Sequence, residues 1–592
     1  MTRGKSSFFA QTRDSEKLIQ VALGEKKADL AVVNARLVNV FTKEILNNVS
    51  VSIKGKWIAA VGNDLKHCIG AKTEVINAKG KTIIPGLIDG HTHLAWLFTA
   101  NEFLKHAMKG GTTTIITETL EPFPVSGYDG LVDFLESLKD QPIKIFSTAP
   151  FMASISHASR GISLETLKKL LSREDIIGLG ESYWQSVIQN PGQSLPILNE
   201  ALLSGKRLEG HSAGASINRL NAYISTGISS CHEPIKADEV MDRLRLGLYV
   251  MIREGSIRSD LEEISKIKDF GIDFRRLILV SDGVVPKDLL NKGYMEFIVQ
   301  KAINCGFDPI TAIQMATLNV AEHFSLDGII GTIAPGRYAD LLLIPDEETI
   351  TAEYVISSGQ IIAQNANLLK QPRRHDFSKH STTSVHLSRK LSASDFMVKI
   401  QMPADEAQIR TINMVTDLVT SEILVTLPIS AGEIIQDISK DIIKIAAIDR
   451  SHNPGKIFSG LIKGFGLKAG AFACSASWDT TDIIVIGADD ADMALAVNRI
   501  FDLQGGAVVS LNGKIEAELP LPVFGLLSEL PIQQIAEKNE TIKNKLTNLG
   551  VSFPDPLLSL IALTGAAIPF LRICEEGLVN LKNGQTVGII PG

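Results

Sequence analysis

"IIPGLIDGHTHLAWL", residues 83–97, ends an apolar run with two histidines two positions apart. On an extended strand, residues i and i+2 point to the same side, so the His91 and His93 imidazoles share one direction. Ile83, Ile84, Leu87 and Ile88 read as one buried strand, with Pro85-Gly86 an irregularity near its start. Two imidazoles at the C-terminal end of a strand suit a metal ion. The plainer reading is a hydrogen-bonded pair in a polar loop, and the spacing alone does not choose between them.

The rest of the chain supplies the context. From 83 to 330, short apolar runs alternate with helical stretches: "TTTIIT", "IKIFSTAP", "IIGLGES", "RLEGHSAG", "GISSCHE", "LYVMIRE" and "RLILVSDG". Most end in polar or ionisable residues. That rhythm predicts an α/β fold of repeated βα units closing into a (β/α)8 barrel, whose chemistry sits at the strands' C-terminal ends. Before it, residues 14–24 read as a helix with Ser15 as cap and Gly24 as stop. The alternating segments 28–40 and 49–62 begin a small β unit within residues 1–82. "DPITAIQMATLNVAEHF" (308–324) reads as one helix capped by Asp308, with Pro309 in its first turn. Residues 331–370 return to strand pattern and complete the β unit. The basic, serine-rich 371–394 reads as a linker, and 395–592 as a further α/β or α+β domain.

Composition narrows the class. Of 592 residues 45% are apolar, and 59 Lys and Arg against 66 Asp and Glu leave a net charge of −7. With no long basic block, a nucleic acid polymer or anionic membrane is not the expected partner. The five cysteines lie far apart with no CxxC, which suggests neither a disulfide framework nor a cysteine zinc site. The N-terminal "MTRGKSSFFAQTRDSEKL" lacks the apolar segment of a secretory signal. "LLSLIALTGAAIPFL" (557–571) contains a proline and is too short to span a bilayer comfortably. A cytoplasmic, soluble protein is expected.

The strand-end residues form a set. Glu181 ends "IIGLGE", His211 ends "RLEGH", His232 ends "GISSCH" and Asp282 follows "LILVS". Taken singly, each has a plain alternative: Asp282 as a helix cap, Glu181 facing solvent, His232 as a satisfied core histidine. Together with His91 and His93 they are four imidazoles and two carboxylates on one ring of strand ends, able to hold two divalent metals. Imidazole and carboxylate without thiolate suit manganese, iron or zinc.

At this point the chain resembles the metal-dependent amidohydrolases and, more narrowly, the bacterial and archaeal adenine deaminases. The residues that carry the narrower resemblance include "GLGES" (178–182), "GHSAG" (210–214), "LNAYISTGISSCHE" (220–233), "RLGLYVMIREGS" (245–256) and "MATLNVAEHF" (315–324). It continues through "GTIAPGRYADL" (331–341), "GFGLKAGAFACS" (464–475), "AVNRIFDLQGG" (496–506) and "AELPLPVFGLLS" (517–528). The resemblance implies an amidohydrolase barrel flanked by a small β-sandwich, a deaminase-specific C-terminal domain, and homo-oligomers. It implies a divalent metal pair, Mn2+ or Fe2+ with Zn2+ an alternative. His91, His93 and Asp282 would hold one metal, His211 and His232 the other, and Glu181 would bridge where many relatives carry a carboxylated lysine. The implied reaction is hydrolysis of adenine to hypoxanthine and ammonia in purine salvage. Asp282 would move the proton as base and then acid, and Glu233 would face a ring nitrogen or else orient His232. Arg253 reads as structural, pairing with Glu254 or Asp260.

Some positions depart from the family pattern. It has "HxHxES" where Ala95 and Trp96 stand here, "DPHE" where this chain has "TETLEP" (117–122), and "HDSHN" where it has "WDTTD" (478–482). It also carries an aspartate after the strand-8 aspartate, where Gly283 stands. These changes read as a loss of polar groups around Ala95, Trp96, Thr119 and Trp478, with all six ligands spared. The alternatives are therefore an N6-substituted adenine or another cyclic amidine or amide as substrate, or a non-catalytic nucleobase-binding protein. The H-x-E…P-C-x-x-C zinc deaminase mechanism is excluded, because the chain has no CxxC.

Overall fold

Eight parallel strands, joined mostly through helices, circle one axis in the computed structural model, which describes residues 14–151, 154–159, 161–401 and 404–591. The barrel strands are β1 (Leu87–Thr92), β2 (Thr112–Thr117), β3 (Lys144–Pro150), β4 (Ile176–Tyr183), β5 (Arg207–His211), β6 (Ser230–Cys231), β7 (Tyr249–Arg253) and β8 (Leu277–Val280). Pairing runs without a break from β1 to β5 and from β6 to β8. Two seams close the ring: Ser229 N donates to Leu208 O at 3.0 Å, and Asp282 N donates to His91 O at 3.1 Å. The second seam ties two proposed ligands to each other through the backbone.

The opening run is not one strand but two. Thr82–Pro85 pairs with Leu341–Ile344 and with Arg36–Leu37 in a separate nine-stranded sheet, while β1 belongs to the barrel. The chain changes sheet at Gly86, where a Cβ would lie 2.2 Å from Thr113 Oγ1 and 2.8 Å from Thr113 Cβ. That sheet joins Leu30–Asn39, Glu44–Lys54, Trp57–Gly62 and Glu74–Asn77 to Leu341–Ile344, Tyr354–Ser357, Gln360–Gln364 and Asn367–Leu368. Its strands converge on one core that includes Leu37, Val51, Ile83, Leu341 and Ile356.

Two helix expectations need correcting. The first helix is Ser15–Ala22, and its cap is Asp14, not Ser15: the Asp14 carboxylate accepts from Lys17 N at 3.1 Å. The reading of a secretory signal concerns residues that lie mostly outside the described ones. The 308–324 helix is broken into Pro309–Met315 and Leu318–His323. The Ala316 carbonyl turns away to accept Ile88 N of β1 at 2.8 Å, so the helical ladder cannot pass through it.

The stretch read as a linker is packed along the helix Pro122–Leu138. His375 meets Asp133 at 2.7 Å, and Ser378 N donates to the same carboxylate at 2.9 Å. Beyond it, a second nine-stranded sheet, mostly antiparallel, carries the helix Asp490–Leu503. The helix Ile532–Asn548 contributes Ile532, Ile535, Ile542 and Leu546 to an apolar cluster shared with the barrel. Leu97–Phe98, just after the histidine pair, forms a parallel two-stranded ribbon with Leu527–Ser528. The C-terminal region is thus stitched to the rim of the barrel. No helix among the described residues is long and apolar enough to cross a membrane.

Overpacking at the sheet switch is testable. Gly86→Ala is expected to cost about 1–3 kcal/mol, because stiff, β-branched Thr113 must move. Urea unfolding should show a lower midpoint, and an unchanged one would mean that Thr113 yields freely.

Candidate metal centre

All six sequence-selected ligands meet at the C-terminal mouth of the barrel. His91, His93, Glu181 and Asp282 form one group, and Glu181, His211 and His232 a second; within each group the ligating atoms lie within 4.8 Å of one another. Glu181 belongs to both. Its Oε1 lies 3.2 Å from His91 Nε2, 3.2 Å from His93 Nε2 and 3.5 Å from His232 Nε2. Asp282 Oδ1 is 3.3 Å from His91 Nε2 and 3.6 Å from His93 Nε2. The plain alternatives fail on position. Glu181 is buried, His232 joins the second group, and the helix Pro286–Asn291 is capped at Val285 rather than Asp282.

The donor set fits a divalent pair. His91 Nε2 is buried and makes no hydrogen bond, although it faces two carboxylate oxygens. A cation between those oxygens and the ring would satisfy all three. Behind the rings, Glu118 Oε1 lies 3.4 Å from His91 Nδ1, and Glu121 pairs with His93 Nδ1. The Thr148 hydroxyl donates to Glu118 at 2.6 Å. Carboxylates at Nδ1 fix each ring so that Nε2 points to the centre. Glu118 and Glu121 lie in "TETLEP", which the sequence reading took as a loss of polar groups. The stretch instead supplies two carboxylates, and the only signal was a pair of acids three apart just beyond a strand end.

Charge balance follows from this packing. Burial pushes the Glu181 carboxyl up, but the His91 and His93 imidazoles override it and hold the group well below its usual range. Asp282 is held low in the same way, with Arg253 adding to the two histidines. Burial opposes protonation of His211, yet the facing Glu233 carboxylate lifts it to about 9. Burial and then His91 bring His232 down to about 3.

Arg253 lines the cavity, and of the two pairings read from the sequence it makes the one with Asp260. It ends β7, so its side chain emerges where the ligands gather. Nη1 pairs with Glu233 and lies 3.5 Å from Asp282 Oδ2, while Nη2 donates to Asp260 at 3.2 Å. Glu254 pairs instead with Lys301 at 2.7 Å. Glu233 Oε1 lies 3.1 Å from His211 Nε2 and 3.4 Å from His232 Nε2. It therefore faces the open side of both rings, not the side from which an orienting partner acts.

Above the ligands lies a cavity of about 390 Å³, walled by Trp96, Tyr183, Trp478, Asp479 and three C-terminal loops. The Trp96 and Trp478 rings stand 6.4 Å apart at 62°. Ala95 and Thr119 do not line it: Ala95 is buried, and the Thr119 hydroxyl donates to Thr148 O at 2.6 Å. Gly283 has φ +138°, and a Cβ there would meet the Trp96 indole at 3.3 Å. Arg572, wholly buried, donates to the carbonyls of Ile568 (2.6 Å), Leu418 (2.9 Å) and Pro569 (3.1 Å), pinning two of the roof loops.

The barrel and its ligand ring define an amidohydrolase, and the amidohydrolase family profile matches residues 82–363. Residues 417–585 match the adenine deaminase C-terminal domain. The chain is 33% identical over 584 residues to the adenine deaminase of Clostridium botulinum (strain 657 / Type Ba4), covering 97% of each chain. It is 33% identical over 587 residues to that of Moorella thermoacetica, covering 98% of each. It is 35% identical over 577 residues to that of Dehalococcoides mccartyi (strain 195), covering 96% of this chain and 97% of the relative. The chain belongs to the adenine deaminase family.

Glu181 sits in both ligand groups, so its charge is the first to test. Glu181→Gln keeps the shape and removes the charge, and metal retention is expected to weaken by more than about tenfold. Elemental analysis after gel filtration reads this directly. Unchanged metal content and rate would remove Glu181 from the metal centre.

Proposed function

We propose that the chain hydrolyses adenine at C6, with adenine and water giving hypoxanthine and ammonia. The observation that carries the proposal is a single buried carboxylate, Glu181, shared by two ligand groups beneath a cavity walled by aromatic rings, in a chain of this family. His91, His93 and Asp282 would hold one divalent ion, His211 and His232 the other, and Glu181 both; manganese or iron is the expected metal, with zinc the alternative. When bound, such a pair lowers the pKa of water and so supplies a nucleophile near neutral pH.

The chain's own residues move the protons and hold the base. Asp282, kept ionised by His91, His93 and Arg253, accepts a proton from the attacking water and passes it to the departing amine. Glu233 opens onto the cavity and meets the ring nitrogen where charge develops. Arg253 touches both acids and fixes their separation. The roof loops 416–419 and 567–569 limit the entry of bulk water. The family reading also carries purine salvage, a cytoplasmic location and a homo-oligomeric state.

A second substrate follows from the apolar wall. Trp96 and Trp478 give the exocyclic amine fewer polar neighbours, and N6-methyladenine is the substrate this favours. Losing one hydrogen bond to adenine costs about 0.5–1.5 kcal/mol, up to roughly tenfold in rate.

Chelated protein should be inactive and regain turnover with manganese or iron. Full activity in protein shown by elemental analysis to be metal-free would overturn the metal assignment. Hypoxanthine formation from adenine and from N6-methyladenine, compared as kcat/KM, decides the substrate. A large excess for the methylated base overturns the first choice, and turnover of no aminopurine overturns both.

A further inference from the structure

Asp479 is a carboxylate in the cavity wall with one oxygen left over. It is only 6% exposed and comes from the C-terminal region, not from the ring of ligands. Oδ2 accepts the Ala566 N–H at 2.7 Å, whereas Oδ1 takes no hydrogen bond among the described residues. No cation is paired with it, and its backbone is held at φ +57°, a region that non-glycine residues rarely occupy. Burial raises its pKa to about 7, reinforced by the Glu181 and Glu121 carboxylates. Oδ1 opens onto the cavity, where it is free to accept from a bound ligand.

We propose that Asp479 is the substrate-binding residue that recognises the ring N–H of a free purine base, and so selects bases with an unsubstituted imidazole ring. This rests on the adenine reading of the same site. Asp479 lies in the cavity wall outside the ring of candidate ligands, and with the reacting carbon at those ligands it would read another edge of the base. Trp478, its neighbour in sequence, meets Trp96 edge to face, and the two indoles together give the cavity an apolar wall for the heterocycle. Above pH about 7, where Asp479 is ionised, its free oxygen is an acceptor, and the matching donor on adenine away from the amine is the N–H of its five-membered ring. Nucleosides and 9-alkyl purines have no such donor, so they would cover Oδ1 and strip its water without replacing the hydrogen bond.

Binding tests this independently of turnover. Adenine and 9-methyladenine are mixed with the metal-loaded full chain in a stopped-flow instrument, and quenching of tryptophan fluorescence is read before the first turnover. The wild type is expected to bind adenine at least about tenfold more tightly than 9-methyladenine. Asp479→Asn keeps the shape and the bond to Ala566 N but turns an amide N–H toward the base. It should lose most of that preference while keeping its metals. Because the variant is nearly isosteric, mere steric exclusion of the methyl group would persist in it, and persistence overturns the proposal. If the variant does not fold, the wild type still decides: equal affinity for the two bases overturns it. Failure of the deaminase reading shows separately, as absence of ammonia release with the binding preference intact. For turnover, Asp479→Asn should raise KM for adenine about tenfold with kcat changed far less.

Discussion

Glu181 Oε1 faces three imidazole nitrogens at 3.2, 3.2 and 3.5 Å, and the remaining architecture serves that contact. Burying a carboxylate costs several kcal/mol unless positive charge or donors surround it. Only a closed barrel brings side chains from the first, fourth and sixth strand ends to one point. Each ring is in turn backed or faced by another acid, Glu118, Glu121 or Glu233. The Thr148 hydroxyl holds Glu118, Glu118 sets His91, and His91 meets Glu181. A change at any link leaves a buried charge uncompensated, which is why the ligand ring and its backing carboxylates behave as one unit.

The cavity above this unit belongs to two parts of the chain. The barrel gives it a charged floor, and the C-terminal region gives it Trp478, Asp479 and the roof loops. The ribbon between Leu97–Phe98 and Leu527–Ser528 ties the loop that carries Trp96 to that region. Arg572 clamps the roof in an unusual way. Burial lowers its pKa to about 9, and its bonded partners are backbone carbonyls, not carboxylates. Carbonyl dipoles satisfy a guanidinium only in a fixed geometry, so the clamp specifies loop position more than it adds attraction.

The six candidate ligands could be picked out of the sequence because each stands at or just beyond the end of a predicted strand, and the barrel rhythm says where such ends converge. What escaped were the partners fixed by tertiary contact. Nothing in "IIPGLI" marks a change of sheet, since both halves are equally apolar and the reason, Thr113 against Gly86, lies on another strand. The break at Ala316 has no proline or glycine to announce it and depends on the Ile88 N–H. Asp14 and Ser15 are both good caps, and adjacency hides which one is used. Glu118, Glu121 and Arg253 are strand-end residues too, but only distances show which ring or acid each one meets. Asp479 is separated from the ligands by about two hundred residues of sequence or more, as "WDTTD" shows no period or spacing that links it to them.

Two of the departures from the family pattern are one change. Any side chain at 283 in place of the glycine would press on the Trp96 indole, and the φ of +138° at Gly283 already disfavours one. Ile257 Cδ1, at 3.1 Å from a Cβ at 283, and the indole, at 3.3 Å, together close the space beside it. With no carboxylate at 283, the acids facing Arg253 are Glu233, Asp260 and Asp282. The guanidinium then bridges Asp282 and Glu233, the acid on the open side of His211 and His232. Beside 283 the site therefore presents an aromatic wall, and Arg253 still holds Glu233, Asp260 and Asp282 in place around it.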